Sequence, residues 1–172
     1  MKRLSLLRHA KSSWDDPHLD DFNRPLVERG WKAARRIGRE LKRRNMAFDL
    51  CVASTAARAR ETLDGLLERY GDPDFEIRFE PRLYAATTAT LLDVVRHLPD
   101  KAGAVLLVGH NPGLQQLALE LTHADPEGLR ARIEAKFPTA ALARIHLRQH
   151  HWENIKADSG EVVELIIAKE LD

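Results

Sequence analysis

Histidine and arginine side chains follow three separate apolar runs in this sequence. Arg8-His9 comes directly after the first run, Arg58 lies a few residues beyond the second, and His110 follows the third. If the three runs are neighbouring strands, these side chains meet at the edge of the sheet where the strands end. Two imidazoles and two guanidinium groups would there form a cationic pocket for a tetrahedral anion. The combination predicts phosphoryl transfer, which requires neutralised phosphate oxygens and a nucleophile held in line with the leaving group.

Each residue type in this group has a role in such chemistry. Arginine donates two parallel hydrogen bonds to phosphate oxygens and keeps its charge. A neutral imidazole can attack phosphorus and form a phosphohistidine that water then hydrolyses. Nearby guanidinium charges should keep that imidazole unprotonated near neutral pH. Arg8 and His9 would point to opposite faces if the strand continued. We therefore expect a turn that starts at His9 and is formed by residues 10–13, which brings the two side chains together.

The elements that position these residues follow from the hydrophobic pattern. Short apolar runs predict buried strands, and apolar residues at helical spacing predict amphipathic helices between them. The alternation indicates an α/β sheet with crossover helices, and two late strands add an antiparallel element. We therefore predict one domain over residues 1–172 with a mixed sheet. The predicted strands are 4–7, 50–53, 104–108, 140–147 and 162–168, and the predicted helices are 28–44, 57–70, 88–98, 113–122 and 127–136.

A helix is expected to start directly after His110. Asn111 is a favourable N-cap residue, and Pro112 suits the first helical position. The free N–H groups and the dipole of that helix would then point toward the anion.

Composition limits the remaining possibilities. The chain has 172 residues, of which 44% are hydrophobic and 31% charged, as in globular domains. A formal net charge of +1 predicts binding neither to nucleic acid nor to membrane surfaces. The single cysteine, Cys51, and the absence of a secretory or membrane-spanning segment predict a cytoplasmic protein. The oligomeric state is not predictable from the sequence.

Nearly the whole chain resembles the histidine phosphatase superfamily, and within it the SixA-type phosphohistidine phosphatases. The order and spacing of several motifs carry the resemblance: Leu7-Arg8-His9-Ala10-Lys11-Ser12, Asp21-Phe22-Asn23-Arg24-Pro25-Leu26 with Gly30, Ser54-Thr55-Ala56-Ala57-Arg58-Ala59 with Thr62, Val108-Gly109-His110-Asn111-Pro112-Gly113, Phe137-Pro138-Thr139-Ala140 and Trp152.

The resemblance implies a three-layer, mostly parallel, phosphoglycerate mutase-like α/β/α fold that needs no metal and no organic cofactor. It implies His9 as the nucleophile and Arg8, Arg58 and His110 as phosphate ligands, with Arg24 as a further ligand. The expected substrate is a phosphorylated protein or a small phosphate ester.

Ser12, Asp15 and Asn111 complete the candidate substrate-binding residues. Asp15 stands where the mutase branch of the family usually has a phosphate-contacting Asn. A carboxylate there repels a phosphate dianion unless it is protonated or turned away, so Asp15 is also a candidate proton donor. Asp16, Asp21 and Glu80 are alternative donors. A site without an obvious acid favours phosphohistidine or aryl phosphate, because their leaving groups are less basic than an alkoxide.

Several alternatives stay open. The function could instead be that of a broad-specificity small-molecule phosphatase of the same superfamily, or of a non-catalytic module that binds phospho-ligands. Cys51 could be a thiolate nucleophile, but six residues without glycine separate it from Arg58, and a buried strand cysteine is favoured. The basic helix 28–44 is either a solvated face or a docking surface for an acidic phosphoprotein.

Overall fold

Strands and helices alternate along most of the chain. The computed structural model describes residues 1–123 and 125–171. Its strands are β1 (Lys2–Arg8), β2 (Leu50–Ala53), β3 (Glu76–Phe79), β4 (Ala104–Gly109), β5 (Ala141–Leu147) and β6 (Gly160–Ile167). Its α-helices are α1 (Glu28–Arg43), α2 (Ala57–Tyr70), α3 (Thr88–Arg96), α4 (Gly113–Leu121) and α5 (Leu129–Ala135).

The six strands form one mixed sheet in the order β3-β2-β4-β1-β5-β6. The first four strands pair in parallel: β1 with β4, β4 with β2, and β2 with β3. Strand β5 runs antiparallel to both β1 and β6. The crossover helices connect the parallel strands, and the turn-linked tail supplies the antiparallel pair. The predicted mixed, mostly parallel α/β sheet is therefore confirmed.

Alternating residues of the central strands pack against helices on opposite faces of the sheet. In β4, Val105 and Leu107 join the apolar cluster that contains residues of α3, α4 and α5. Leu106 and Val108 join the other cluster, with residues of α1 and α2. Because side chains alternate along a strand, a continuous apolar run such as β4 must be covered on both faces. This arrangement confirms the three layers.

One strand is absent from the sequence prediction. Strand β3 lies at the edge of the sheet and pairs only with β2. Its side chains are mostly exposed: Ile77 is half-buried and Phe79 is 42% exposed. An edge strand with one covered face needs no continuous apolar run, so the hydrophobic pattern does not reveal it. The other element boundaries differ from prediction by no more than two residues, the usual fraying at element ends.

Ion pairs cover part of the basic face of α1. Glu40 accepts hydrogen bonds from both Arg43 and Arg44, and Arg35 donates to Glu68 on α2. Lys32 lies 3.4 Å from Glu28, one turn earlier in the helix. These contacts favour the interpretation of a solvated outer face over a docking surface.

Candidate active site

The three strand ends that carry the predicted site residues lie level with one another. Arg8 pairs with Gly109 across β1 and β4, and the His9 N–H donates to the Gly109 carbonyl at 3.0 Å. At the end of β2, the Ser54 N–H donates to the Val108 carbonyl at 2.9 Å. Parallel pairing in register therefore brings His9, His110 and the start of α2 to one edge of the sheet.

The ring of His9 is held by its own loop. Its Nδ1 lies 2.7 Å from the Ala10 carbonyl oxygen, so Nδ1 carries the proton and donates it there. The Ala10 N–H in turn donates to Thr62 Oγ1 on α2 at 2.9 Å. This tautomer, assigned from the hydrogen bonds, leaves the lone pair on Nε2 available for attack on phosphorus.

Close packing between α1 and the loop supports this geometry. The Val27 N–H donates to the Lys11 carbonyl at 3.0 Å. A Cβ atom at Gly30 would collide with that same carbonyl oxygen. The glycine thus lets the first turn of α1 lie directly on the loop that follows His9.

His110 faces His9 and is oriented by Ser54. The two ring centroids are 5.1 Å apart. Ser54 Oγ accepts a hydrogen bond from the Ala56 N–H at 3.2 Å and lies 2.8 Å from His110 Nε2. Because Ser54 Oγ already accepts from Ala56, its O–H is available to donate to Nε2, and on this hydrogen-bonding pattern we assign the proton of His110 to Nδ1. That Nδ1 is buried and has no hydrogen-bond partner among residues 1–123 and 125–171.

Burial keeps both imidazoles neutral. The pKa of His9 falls from 6.5 to about 3, mainly through burial and also through the nearby His110, Arg58 and Arg8, against the opposing hydrogen bond with Ala10. Burial also lowers the pKa of His110 to about 4, with Arg58 as the next cause. The neutral imidazole expected at His9 from the sequence is thus present, but desolvation contributes more to its low pKa than guanidinium charge does.

Half-buried Arg8 and buried Arg58 each have N–H donors that remain unused. Arg8 Nη1 donates to the Phe137 carbonyl at 3.0 Å, and Arg58 donates to Asp21 through Nη1 and Nη2. The Nε atoms of both arginines are buried and have no hydrogen-bond partner among the residues that the structure describes. A buried donor without a partner destabilises the folded protein by about 1–3 kcal/mol. An anion that accepts hydrogen bonds from several such donors removes this penalty, so the site is suited to bind one.

Asp21 links the arginines to one another. Its carboxylate accepts from Arg58 Nη2 at 3.0 Å, from Arg24 Nε at 3.1 Å and from the Tyr84 hydroxyl at 2.6 Å. Arg24 also donates through Nη1 to Ser12 Oγ at 2.7 Å. Arg24 and Arg58 therefore share one carboxylate, and Ser12 contacts Arg24.

Sequence comparison agrees with this geometry. The sequence model of the histidine phosphatase superfamily (branch 1) matches residues 4–86. An uncharacterised protein of Mycobacterium leprae is 32% identical over 161 residues, which cover 91% of this chain and 96% of that protein. The chain belongs to the histidine phosphatase superfamily.

Two solved structures of this superfamily are similar over nearly their whole length. The proposed phosphohistidine phosphatase SixA of Nakamurella multipartitia is 28% identical, with a TM-score of 0.83 and coverage of 96% of this chain and 95% of that one. The proposed SixA of Agrobacterium tumefaciens is 29% identical, with a TM-score of 0.79 and coverage of 96% and 97%. The phosphoglycerate mutase-like fold and the SixA resemblance are thereby confirmed.

The candidate proton donors of this histidine phosphatase differ in their surroundings. Hydrogen bonds from Tyr84, Arg58 and Arg24 lower the pKa of Asp21 to about 2, despite some opposing desolvation, so Asp21 is ionised and is a poor acid. Glu80 accepts from the Arg82 N–H at 2.9 Å and caps a short helix. Asp15 and Asp16 are exposed in the loop after β1. Asp21 is better described as a residue that positions the arginines.

The Asn111 side chain forms hydrogen bonds with the backbone of two other segments, a structural role that the sequence does not indicate. Its amide nitrogen donates to the Phe137 carbonyl at 3.0 Å, and its Oδ1 accepts from the Gln115 N–H at 3.3 Å. Helix α4 begins at Gly113, but its N-cap residue is Pro112 and not Asn111 as expected. The Leu114 N–H donates to the His110 carbonyl at 3.0 Å, so the helix start offers fewer free donors than predicted.

A cavity of about 690 Å³ lies beside the candidate phosphate site of this histidine phosphatase. It shares Arg58 and His110 with that site, and its outer wall is the loop from Tyr84 to Ala89. Small apolar residues and uncharged hydroxyl groups dominate this wall. A cavity of this size and chemistry can hold a ring-sized leaving group next to the phosphoryl position.

Cys51 is a core residue of β2. Its side chain is fully buried, and burial raises the pKa of its thiol to about 12. A thiol with such a pKa is not a nucleophile near neutral pH. The preference for a buried strand cysteine is confirmed.

No group of three or more His, Cys, Asp or Glu side chains within residues 1–123 and 125–171 is arranged to hold a metal ion. Metal independence stays a prediction. In the same part of the chain, none of the helices combines the length and apolar character of a membrane span.

The low pKa values of His9 and His110 predict that the folded protein becomes less stable as the pH falls. Unfolded imidazole binds a proton below pH 6.5, whereas His9 and His110 stay neutral in the native state down to about pH 3 and pH 4. The unfolding free energy should therefore fall as the pH drops from 6.5 to 4.5, by about 1.4 kcal/mol per pH unit for each histidine at most.

Urea unfolding between pH 4.5 and 7.5 measures this slope. The His9→Gln variant should have a shallower slope than the wild type, because it lacks one of the two groups. Equal slopes in the two proteins would show that His9 does not contribute.

Proposed function

We propose that this chain is a phosphatase that transfers a phosphoryl group first to His9 and then to water. The observation that carries the proposal is a set of three buried donors without partners in the described part of the chain: Arg8 Nε, Arg58 Nε and His110 Nδ1. They accompany an imidazole whose Nε2 lone pair is free. A phosphoryl group would accept hydrogen bonds from all three donors while the imidazole attacks it.

The proposed reaction has two displacements at phosphorus. In the first, a bond forms between His9 Nε2 and phosphorus while the bond to the leaving group breaks. In the second, a water oxygen attacks, the P–N bond breaks, inorganic phosphate leaves and the water proton goes to solvent. His9 Nδ1 keeps its proton on the Ala10 carbonyl throughout, which offsets the positive charge that develops on the ring.

The proposed substrate carries its phosphoryl group on a weakly basic leaving group. Asp21 is ionised and held by two arginines, so it does not supply a proton. Imidazole and phenol leave more easily than an alkoxide without such help. The two similar solved proteins are described as phosphohistidine phosphatases. We therefore favour a phosphohistidine protein of the cytoplasm, ahead of a small phosphate ester.

A substrate panel tests this proposal. We expect turnover of a phosphohistidine protein and of an aryl phosphate, both unaffected by a metal chelator. A sugar phosphate should react more slowly by about 10²-fold or more, the usual contribution of a general acid. Fastest turnover of the sugar phosphate would contradict the substrate class. Phosphate binding without turnover of any substrate would indicate a binding module instead.

A further inference from the structure

The indole of Trp14 lies on the guanidinium group of Arg24. The Arg24 Cζ atom is 3.5 Å from the centroid of the ring. Trp14 is 72% exposed, yet Arg24 beneath it is only 7% exposed. The ring therefore shields one face of a charged group that would otherwise be hydrated.

Hydrogen bonds hold the edge of the same guanidinium. Nε donates to Asp21 Oδ1 at 3.1 Å, and Nη1 donates to Ser12 Oγ and to the Ser13 carbonyl at 2.7 and 3.1 Å. Nη2 makes no hydrogen bond within residues 1–123 and 125–171. A planar group fixed along its edge and covered on its face has one orientation, with Nη2 left as a donor.

We propose that Trp14 is a positioning residue of the phosphate site, which acts by holding Arg24 oriented and poorly hydrated. This inference rests on the proposed function and on Arg24 as the further phosphate ligand that the family resemblance implies. Stacking on an aromatic face limits the rotation of an arginine, and removal of water strengthens its attraction to an anion. Without the indole, Arg24 gains both motion and hydration, so the site binds phosphate more weakly.

Calorimetric titration of the full chain with inorganic phosphate tests this role. Trp14→Ala should weaken phosphate binding by about 3- to 10-fold, in keeping with an aromatic–cation contact. The kcat/KM for an aryl phosphate should fall by the same factor. Trp14→Phe should restore most of both values, because the smaller ring can still stack. A purely structural role would lower the Tm and leave the phosphate affinity of the folded protein unchanged.

Phe79→Ala is the matched control. Phe79 is also an exposed aromatic residue, 42% accessible, and it stacks on Arg60 with 4.5 Å between the Arg60 Cζ and the ring centroid. Its removal should change neither phosphate affinity nor kcat/KM.

The outcomes separate this inference from the proposed function. Equal phosphate affinity of Trp14→Ala and the wild type overturns the role of Trp14. A wild type that binds no phosphate overturns it as well. A wild type that binds phosphate without turnover contradicts the phosphatase proposal, while the affinity ratio of the two proteins still decides the role of Trp14.

Discussion

Replacement of His9 with alanine should lower turnover of every phosphorylated substrate by at least about 10⁴-fold, the usual effect of removing a nucleophile. No other described side chain combines a free lone pair with the three buried donors of Arg8, Arg58 and His110. His110 cannot replace it, because the Ser54 hydroxyl donates to its Nε2 and its Nδ1 is protonated. The measurement is steady-state turnover of an aryl phosphate.

Labelling provides a second readout of the same variant. Brief reaction with a radiolabelled phosphoramidate should leave an acid-labile phosphoryl group on the wild type and none on His9→Ala. His18→Ala is a suitable control, since His18 is exposed and its side chain should not affect either measurement. More than about 0.01% residual activity in a folded His9→Ala protein would contradict the expected loss.

Replacement of Arg58 with alanine has the second-largest expected effect. It removes a buried charge from the phosphate site and two hydrogen bonds to Asp21, which would also release that carboxylate. We expect kcat/KM to fall by about 10²–10³-fold, as for the loss of a preorganised donor. Steady-state kinetics on an aryl phosphate, with the Tm as a check of folding, measures the change.

Two further variants show whether the effect of Arg58→Ala comes from the planar guanidinium of Arg58 or from a general loss of positive charge. Arg58→Lys keeps a positive charge but loses the planar fork, so it should recover only part of the activity. Arg60→Ala removes an exposed arginine two residues away that stacks on Phe79, and it should retain wild-type kinetics. A decrease with Arg60→Ala as large as with Arg58→Ala would indicate a general effect of charge.

The meeting of the candidate site residues at one edge of the sheet was predictable, because it depends on hydrophobic patterns within short segments. Short apolar runs identified β1, β2 and β4, and residues at their ends were expected at one edge of a parallel sheet. The register between Arg8 and Gly109 is consistent with that expectation. The roles of Arg8, Arg24, Arg58, His110, Ser12, Asp15 and Asn111 in binding substrate remain predictions.

The interactions around Asp21 could not be predicted, because they join residues far apart in sequence. Its carboxylate lies between Arg24 and Arg58 and accepts a hydrogen bond from Tyr84, 63 positions later. The sequence places Asp21 only among several acids in a loop. Its low pKa depends on those three contacts, and they exist only after the loop, α2 and the Tyr84 turn have packed together.

What the sequence by itself determined is the set of reactive groups and the elements that carry them. Residue types and the periods of apolar residues are properties of short segments, so they predicted the α/β class, the helices and the nucleophile candidate. Tertiary structure alone decided which ring nitrogens carry protons, how far burial lowers the pKa of His9, and which face of Arg24 is covered by Trp14. Those properties depend on distances between segments and on exclusion of water, and both arise only when the segments pack.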